Sequence, residues 1–112
     1  MPRYADLGAQ LLQDAAAFFR TLASENPALQ TSMTTNAASF EQAALRLMAD
    51  PLGSTGDKTH VAVAVQFLNV AAKLFRTLGD QNEPIREQMH TNADTFMEIA
   101  ARLLQTPTEE AN

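Results

Sequence analysis

Residues 12–51 of this chain read LQDAAAFFRTLASENPALQTSMTTNAASFEQAALRLMADP, and residues 68–107 read LNVAAKLFRTLGDQNEPIREQMHTNADTFMEIAARLLQTP. The second stretch repeats the first at an offset of 56 positions without insertion or deletion, and 17 of the 40 aligned residues are identical. The likeness is concentrated in Phe-Arg-Thr-Leu at 19–22 and 75–78 and in Met-x-Thr-Asn-Ala-x-x-Phe at 33–40 and 89–96. A repeat of this length predicts that one structural unit is present twice.

Apolar residues recur at spacings of three and four through both halves of each repeat, which is the period of an amphipathic helix. The pattern predicts four helices, at about 4–24, 27–49, 59–79 and 83–105. The run VAVAV at 61–65 would suit a β-strand on its own, because β-branched residues alternate there. It aligns with the beginning of the first helix, so the repeat favours a helix for this run as well.

Turn-forming residues separate these segments. Asn26 and Asn82 stand before the second helix of each unit, where an asparagine side chain can accept hydrogen bonds from unpaired N–H groups, so both are predicted N-caps. Gly79 is expected to end the third helix. Residues 50–58, DPLGSTGDK, predict a flexible linker between the two units, and residues 108–112 predict a frayed acidic tail.

Each predicted hairpin has an apolar face that it cannot bury alone. We therefore predict an all-α fold, an antiparallel up-down four-helix bundle built from two tandem helical-hairpin repeats that are related by a pseudo-twofold axis. The expected domain is single and spans residues 1–112, a length that suits one domain. Repeat unit one covers about 4–51, the linker 50–58 and repeat unit two about 59–107.

Composition and charge exclude several classes of function. The chain has no cysteine, which rules out disulfides, thiolate zinc sites and cysteine nucleophiles. The net charge of −5 is spread evenly, with five acids against three bases in residues 1–56 and eight against five in residues 57–112, so we expect no nucleic-acid or membrane binding. The longest apolar run is too short to span a membrane, and the N-terminal residues lack the pattern of a secretory signal. A cytoplasmic location is therefore expected.

Glu87 and His90 form the sharpest candidate for metal or acid–base chemistry. A glutamate and a histidine three positions apart share one helix face, and carboxylate-bridged metal centres in helical bundles use two such pairs. The aligned residues of unit one, Thr31 and Thr34, cannot supply the second pair, and Glu87 projects away from the apolar stripe. We therefore predict no metal or cofactor and keep this pair as a weak metal candidate. With no phosphate-binding glycine loop and no nucleophile turn, the sequence predicts no enzyme.

The repeated Thr-Asn pair gives a candidate binding site at Asn36 and Asn92. Asparagine is a poor residue for the middle of a helix, because its side chain competes for backbone hydrogen bonds. One hypothesis is that both asparagines face a polar pocket or groove at the pseudo-twofold axis. The other is that each side chain hydrogen-bonds the opposite hairpin and fixes its register.

Arg20 and Arg76 are also repeated, and helical projection places them on the exposed face. An exposed, symmetric pair of arginines could bind an acidic partner. The alternative is that these residues provide solubility and a favourable charge near the C-terminal ends of their helices. Both interpretations stay open from the sequence.

Taken together, these features predict a non-enzymatic interaction protein, an acidic helical bundle acting as an adaptor or regulator. We expect a protein partner or self-association as a dimer, because alanine-rich helix faces allow another helix to approach closely. The alternative function is a binding module that holds a small apolar ligand or a metal between the two hairpins. In that case phenylalanine and methionine side chains would line the site, with Asn36 and Asn92 as its polar anchors.

Overall fold

The computed structural model describes residues 2–111, which form two successive helical hairpins. The helices are α1 (Tyr4–Glu25), α2 (Gln30–Ala49), α3 (His60–Gln81) and α4 (Arg86–Gln105). One-turn 3₁₀ helices at Pro27–Leu29 and Glu83–Ile85 lead into α2 and α4, and two short strands, β1 (Ser54–Thr55) and β2 (Lys58–Thr59), lie between the hairpins. Every helix of the second hairpin begins and ends 56 residues after its counterpart in the first. The predicted four-helix, all-α bundle is confirmed, and the run at 61–65 is helical.

Small residues let α1 and α3 lie together in the centre of the bundle. Each hairpin packs internally, α1 on α2 and α3 on α4, and the hairpins meet where α1 touches α3 and α4 and where α2 touches α3. The faces of α1 and α3 that make these contacts are rich in alanine, and the largest side chains fully buried among them are leucines and Phe19. A side chain at Gly8 would lie 2.8 Å from Leu103, so α1 and α4 approach as closely as this glycine permits.

The aromatic core of each hairpin has the same local geometry. Phe19 meets Phe40 edge to face with ring centroids 5.0 Å apart, and the aligned pair Phe75 and Phe96 does so at 5.1 Å. Edge-to-face pairs add about 0.5–1.5 kcal/mol each beyond the area they bury. This recurrence agrees with the duplicated sequence, and the pseudo-twofold axis itself stays a prediction.

The connection between the hairpins is an ordered β-hairpin, so the prediction of a flexible linker was wrong. β1 and β2 pair antiparallel through a two-residue turn at Gly56 and Asp57. Gly56 has φ 66°, and the following residue keeps a negative φ, which is the pattern of a type II′ turn. The ring of His60 then binds this segment, with Nε2 2.9 Å from the Thr55 hydroxyl and Nδ1 2.8 Å from the carbonyl oxygen of Asp50.

The C-terminal segment is also held in place, which corrects the prediction of a frayed tail for its described part, residues 108–111. The N–H groups of Tyr4 and Ala5, in the first turn of α1, donate to the carbonyls of Glu109 and Pro107 at 3.0 and 2.9 Å. The tail thus supplies acceptors that a helix N-terminus otherwise lacks. Residues 3 and 110 form an antiparallel bridge, and residues 59 and 54 pair in the same way in the linker. Residue 59 lies 56 positions after residue 3, and residue 110 lies 56 positions after residue 54, which is the offset of the repeat. The two connections therefore have related structures.

Asn26 and Asn82 do not cap the helices that follow them, so that prediction was wrong. Each side chain instead donates backwards, from Nδ2 to the carbonyl of Leu22 at 3.1 Å and of Leu78 at 2.9 Å. These carbonyls belong to the last turn of the preceding helix, where acceptors are left without partners. The asparagines therefore stabilise the ends of α1 and α3.

Candidate functional site

A groove of about 290 Å³ runs along the contact between α1 and α4, and we call it the α1–α4 groove. Its lining consists of Leu11, Asp14, Phe18, Phe75, Met89, Asn92, Thr95 and Phe96. The residues from α1 and α4 follow helical spacing, so each helix presents one continuous wall. The volume lies at the lower end of the range for small-molecule sites.

The deep part of the groove is apolar and tightly packed. Phe75 of α3 lies behind the two walls, with its ring centroid 5.4 Å from that of Phe18 and 5.1 Å from that of Phe96. Phe75, Phe96 and Met89 are buried, whereas Phe18 is half-buried. Interlocked rings of this kind form a rigid surface that suits an apolar ligand body.

The rim of the groove is polar and offers mainly hydrogen-bond acceptors. Oδ1 of Asp14 accepts a bond from Gln10 at 3.0 Å, which leaves the second carboxylate oxygen available. The Thr95 hydroxyl donates its proton to the carbonyl of Thr91 at 3.1 Å. Its two lone pairs can therefore accept hydrogen bonds from a ligand. Asn92 is half-buried on the wall formed by α4. Among the eight lining residues, Asp14 carries the only charge.

Differences between the repeats explain why the groove is open on this side of the bundle. Leu11 aligns with Phe67, and Phe67 stacks flat on Phe40, with centroids 4.7 Å apart and planes 6° from parallel. On the α1–α4 side the smaller leucine stands where that ring would be. Asp14 likewise aligns with Val70, so one side of the bundle carries a carboxylate where the other carries an apolar residue.

The structure places only one of the two predicted asparagines at this site. Asn92 lines the groove, whereas Asn36 is exposed on α2 and is not part of the lining. The side-chain hydrogen bonds that join one helix to another in the described chain come from Arg20, Arg76, Arg86 and His90, and each stays within one hairpin. The bond between His60 of α3 and the carbonyl of Asp50, just after α2, links the hairpins at their connection. The contact between hairpins is therefore mainly apolar.

Arg20 and Arg76 lie apart from the groove lining, and both are paired within their own hairpins. Arg20 binds Glu41 through two bonds, at 2.6 and 3.2 Å, and this hydrogen bonding lowers the pKa of the Glu41 carboxyl below its ordinary value. Arg76 binds Asp94 at 2.5 Å. Arg76 also lines a shallower recess of about 420 Å³ on the outer face of α3 and α4, but the ion pair offsets much of its charge.

Glu87 and His90 do not form a pair in the structure. His90 instead binds Asp80 of α3, with Nε2 2.9 Å from Oδ1, while Glu87 is exposed on α4. Within residues 2–111, no group of three or more histidine, aspartate or glutamate side chains is placed to hold a metal ion.

One helix has the composition of a membrane span. α3 is 22 residues long and reaches a mean hydropathy of 1.4, although only 33% of that window is buried in the bundle. A core helix of a soluble bundle passes the same test, and α3 contacts α1, α2 and α4. The expectation of no membrane binding stays a prediction.

Sequence reasoning missed three of the groove residues, Leu11, Asp14 and Thr95. Periodicity assigns Leu11 and Phe18 to the core and Asp14 to the surface, because it cannot show where two helices leave a gap. The available signal was the mismatch between the repeats at Leu11 and Asp14, since a size or charge difference at aligned positions breaks the equivalence of the two sides.

Comparisons with known proteins give no further guide. No protein-family model, no curated protein and no solved structure matches the chain. The useful comparison is internal, between unit one and unit two, because each aligned pair of residues shows what the same fold accepts at that position. Functional inference therefore rests on the groove and on the surface of the bundle.

Proposed function

We propose that this chain is a non-enzymatic binding protein and that its binding site is the α1–α4 groove. One observation carries the proposal: a rigid aromatic recess of about 290 Å³ lies between the hairpins and has a polar rim. That combination is typical of small-molecule sites, where apolar contacts supply affinity and a few polar groups fix orientation. Asp14 is the one acidic residue among the eight lining residues and none is basic, so the groove favours binding over acid–base chemistry.

Methionine methyl groups allow a direct test. In protein labelled with ¹³C at the methionine methyls, Met89 reports on the groove and Met48, on α2, lies outside it. We expect 4-phenylbutanol to shift the Met89 signal saturably, with a Kd on the order of 1 mM for a ligand of this size. The Met48 signal should not follow the same curve.

A blocking variant takes its residue from the chain itself. Leu11→Phe introduces the side chain that unit two carries at the aligned position 67, where it stacks on Phe40. We expect this variant to fold and to lose the Met89 response, because the added ring occupies the groove. Phe67→Leu is the matched control on the other side and should leave the response in place. Equal binding by Leu11→Phe and the unaltered protein would contradict the proposal.

A second candidate function is binding of a protein partner, including a second copy of this chain. Most helix alanines are buried within the bundle, so they leave only a small part of the alanine-rich surface on which self-association was predicted to depend. Large apolar side chains are exposed elsewhere, with Leu52 74% and Leu104 65% exposed beside a recess of about 220 Å³. Apolar surface of this kind supports an interaction site. Light scattering on the double variant Leu52→Ser, Leu104→Ser tests it: an oligomer that persists unchanged counts against this surface.

A further inference from the structure

We propose that the α1–α4 groove selects ligands that combine an apolar body with a cationic head group, such as a primary ammonium. This inference rests on the proposed function, because it assigns a ligand class to the same groove. It adds that the ligand carries a positive charge and that Asp14 is the residue that interacts with this charge.

The electrostatics of the lining point to a cation. Asp14 is exposed at the rim, and no lysine or arginine is among the eight lining residues. Arg102 of α4 lies outside the lining, and its guanidinium is 5.8 Å from the centroid of the Tyr4 ring. A positive head group at the rim would therefore meet a carboxylate, whereas a negative one would be repelled.

Hydrogen-bonding capacity at the rim points the same way. The second oxygen of Asp14 and the lone pairs of the Thr95 hydroxyl can accept hydrogen bonds, and the Asn92 amide adds a further acceptor. An ammonium group carries three donors and no acceptor, which matches such a set. The aromatic recess behind the rim would hold the apolar body, with Phe18 and Phe96 on its walls.

The charge is specific to one side of the bundle. Position 70, which aligns with Asp14, is a valine, and both residues are exposed on their helices. The fold therefore accepts an apolar residue at this position, and Asp14→Val introduces the residue that the second repeat already carries there. Asp14→Asn serves as the second variant, since an amide keeps an oxygen for the bond from Gln10.

Three probes on one skeleton test the inference: 4-phenylbutylamine, 4-phenylbutanol and 4-phenylbutyrate, titrated at pH 7 with the Met89 methyl signal as readout. We expect the amine to bind about twofold to fivefold more tightly than the alcohol, the range for an exposed ion pair. The carboxylate should bind more weakly than the alcohol. High salt should reduce the advantage of the amine, because it screens exposed charges.

In Asp14→Val and Asp14→Asn the three affinities should converge, while binding of the alcohol persists. Equal affinities in the unaltered protein, or tightest binding of the carboxylate, would overturn the charge selection and leave groove binding intact. An amine preference that survives both Asp14 variants would also overturn it. If none of the three probes moves the Met89 signal, the proposed function itself fails, and this inference fails with it.

Discussion

Arg20 and Arg76 occupy aligned positions, and each binds an acid on the neighbouring helix of its own hairpin, but the two acids are not aligned. Asp94 corresponds to position 38 of α2, whereas Glu41 lies nearly one turn farther along. Projection predicts that both arginines are exposed; Arg20 is exposed, whereas Arg76 is half-buried. Projection does not predict their partners, because a long side chain can reach either of two successive turns on the helix beside it.

The Arg20–Glu41 pair gives a prediction about pH. The pKa of Glu41 is lowered in the folded protein, so its ion pair stabilises the fold above the ordinary carboxyl value of 4.5 and loses that effect as pH falls through the lowered pKa. Glu41→Gln should lower Tm at pH 7 by roughly 1–4 °C, as expected for an exposed pair in a chain of this size.

Thermal unfolding between pH 3 and pH 7 measures this effect. The difference in Tm between the unaltered protein and Glu41→Gln should be constant above about pH 5 and shrink below pH 4.5. The matched control is Glu41→Gln in a chain that also carries Arg20→Gln, where the difference should be much smaller because the partner charge is gone. A difference that stays the same down to pH 3 would contradict the ion-pair explanation.

At the scale of secondary-structure elements, the helices could be predicted from the sequence because their apolar periodicity is strong. Predicted and observed ends agree within about three residues for each helix, and the repeat correctly settled the ambiguous run at 61–65. The 3₁₀ turns, the β-hairpin and the ordered tail could not be predicted. They are short, and backbone hydrogen bonds rather than side-chain periodicity define them.

At Gly79, the packing of α3 against α4 outweighs the tendency of a glycine to end a helix. It lies inside α3 rather than at its end, and it is buried against α4. A Cβ there would lie 2.9 Å from the ring of His90 and 3.2 Å from the carbonyl oxygen of Arg86. The residue therefore permits a close approach of the two helices, which corrects its expected role as a helix terminator.

Gly79→Ala should destabilise the fold by about 1 kcal/mol, because overpacking of roughly 1–3 kcal/mol exceeds the gain of about 1 kcal/mol in helix propensity. Unit one carries Ala23 and Thr34 at the aligned positions, so adding His90→Thr should recover part of the loss. Urea denaturation measures both variants. A Gly79→Ala protein as stable as the unaltered chain would show that α4 adjusts without cost.

At the scale of the whole molecule, the repeat predicts the bundle but not its groove. If the predicted pseudo-twofold axis relates the units, identical units would give identical contacts on both sides, and the groove then follows from the residues that differ. Leu11 against Phe67 is a difference of one ring, and its consequence depends on how closely the hairpins pack. The candidate site is therefore indicated in the sequence by residues that differ between the aligned repeats. Hydrophobic periodicity alone does not identify them.

The relation between linker and tail predicts that the chain order can be changed. The N–H of Ala111 donates to the carbonyl of Pro2 at 2.8 Å, so residues 2 and 111 are adjacent. A circular permutant of residues 2–111 with a short glycine–serine join from residue 111 to residue 2, and new ends between Gly56 and Asp57, should keep the helical circular dichroism spectrum and unfold in one transition. Loss of cooperative unfolding would show that the β-hairpin turn, rather than the matched connections, secures the bundle.

The bonds between the tail and the N-terminal segment also determine how the molecule resists force. If the two ends are pulled apart, the bond from Ala111 to Pro2 carries the load first, followed by those from Tyr4 to Glu109 and from Ala5 to Pro107. Bonds that are loaded one after another break at low force. The contact between α1 and α4 comes under tension after them, so a ligand in the proposed site is expected to raise the force at which these two helices separate.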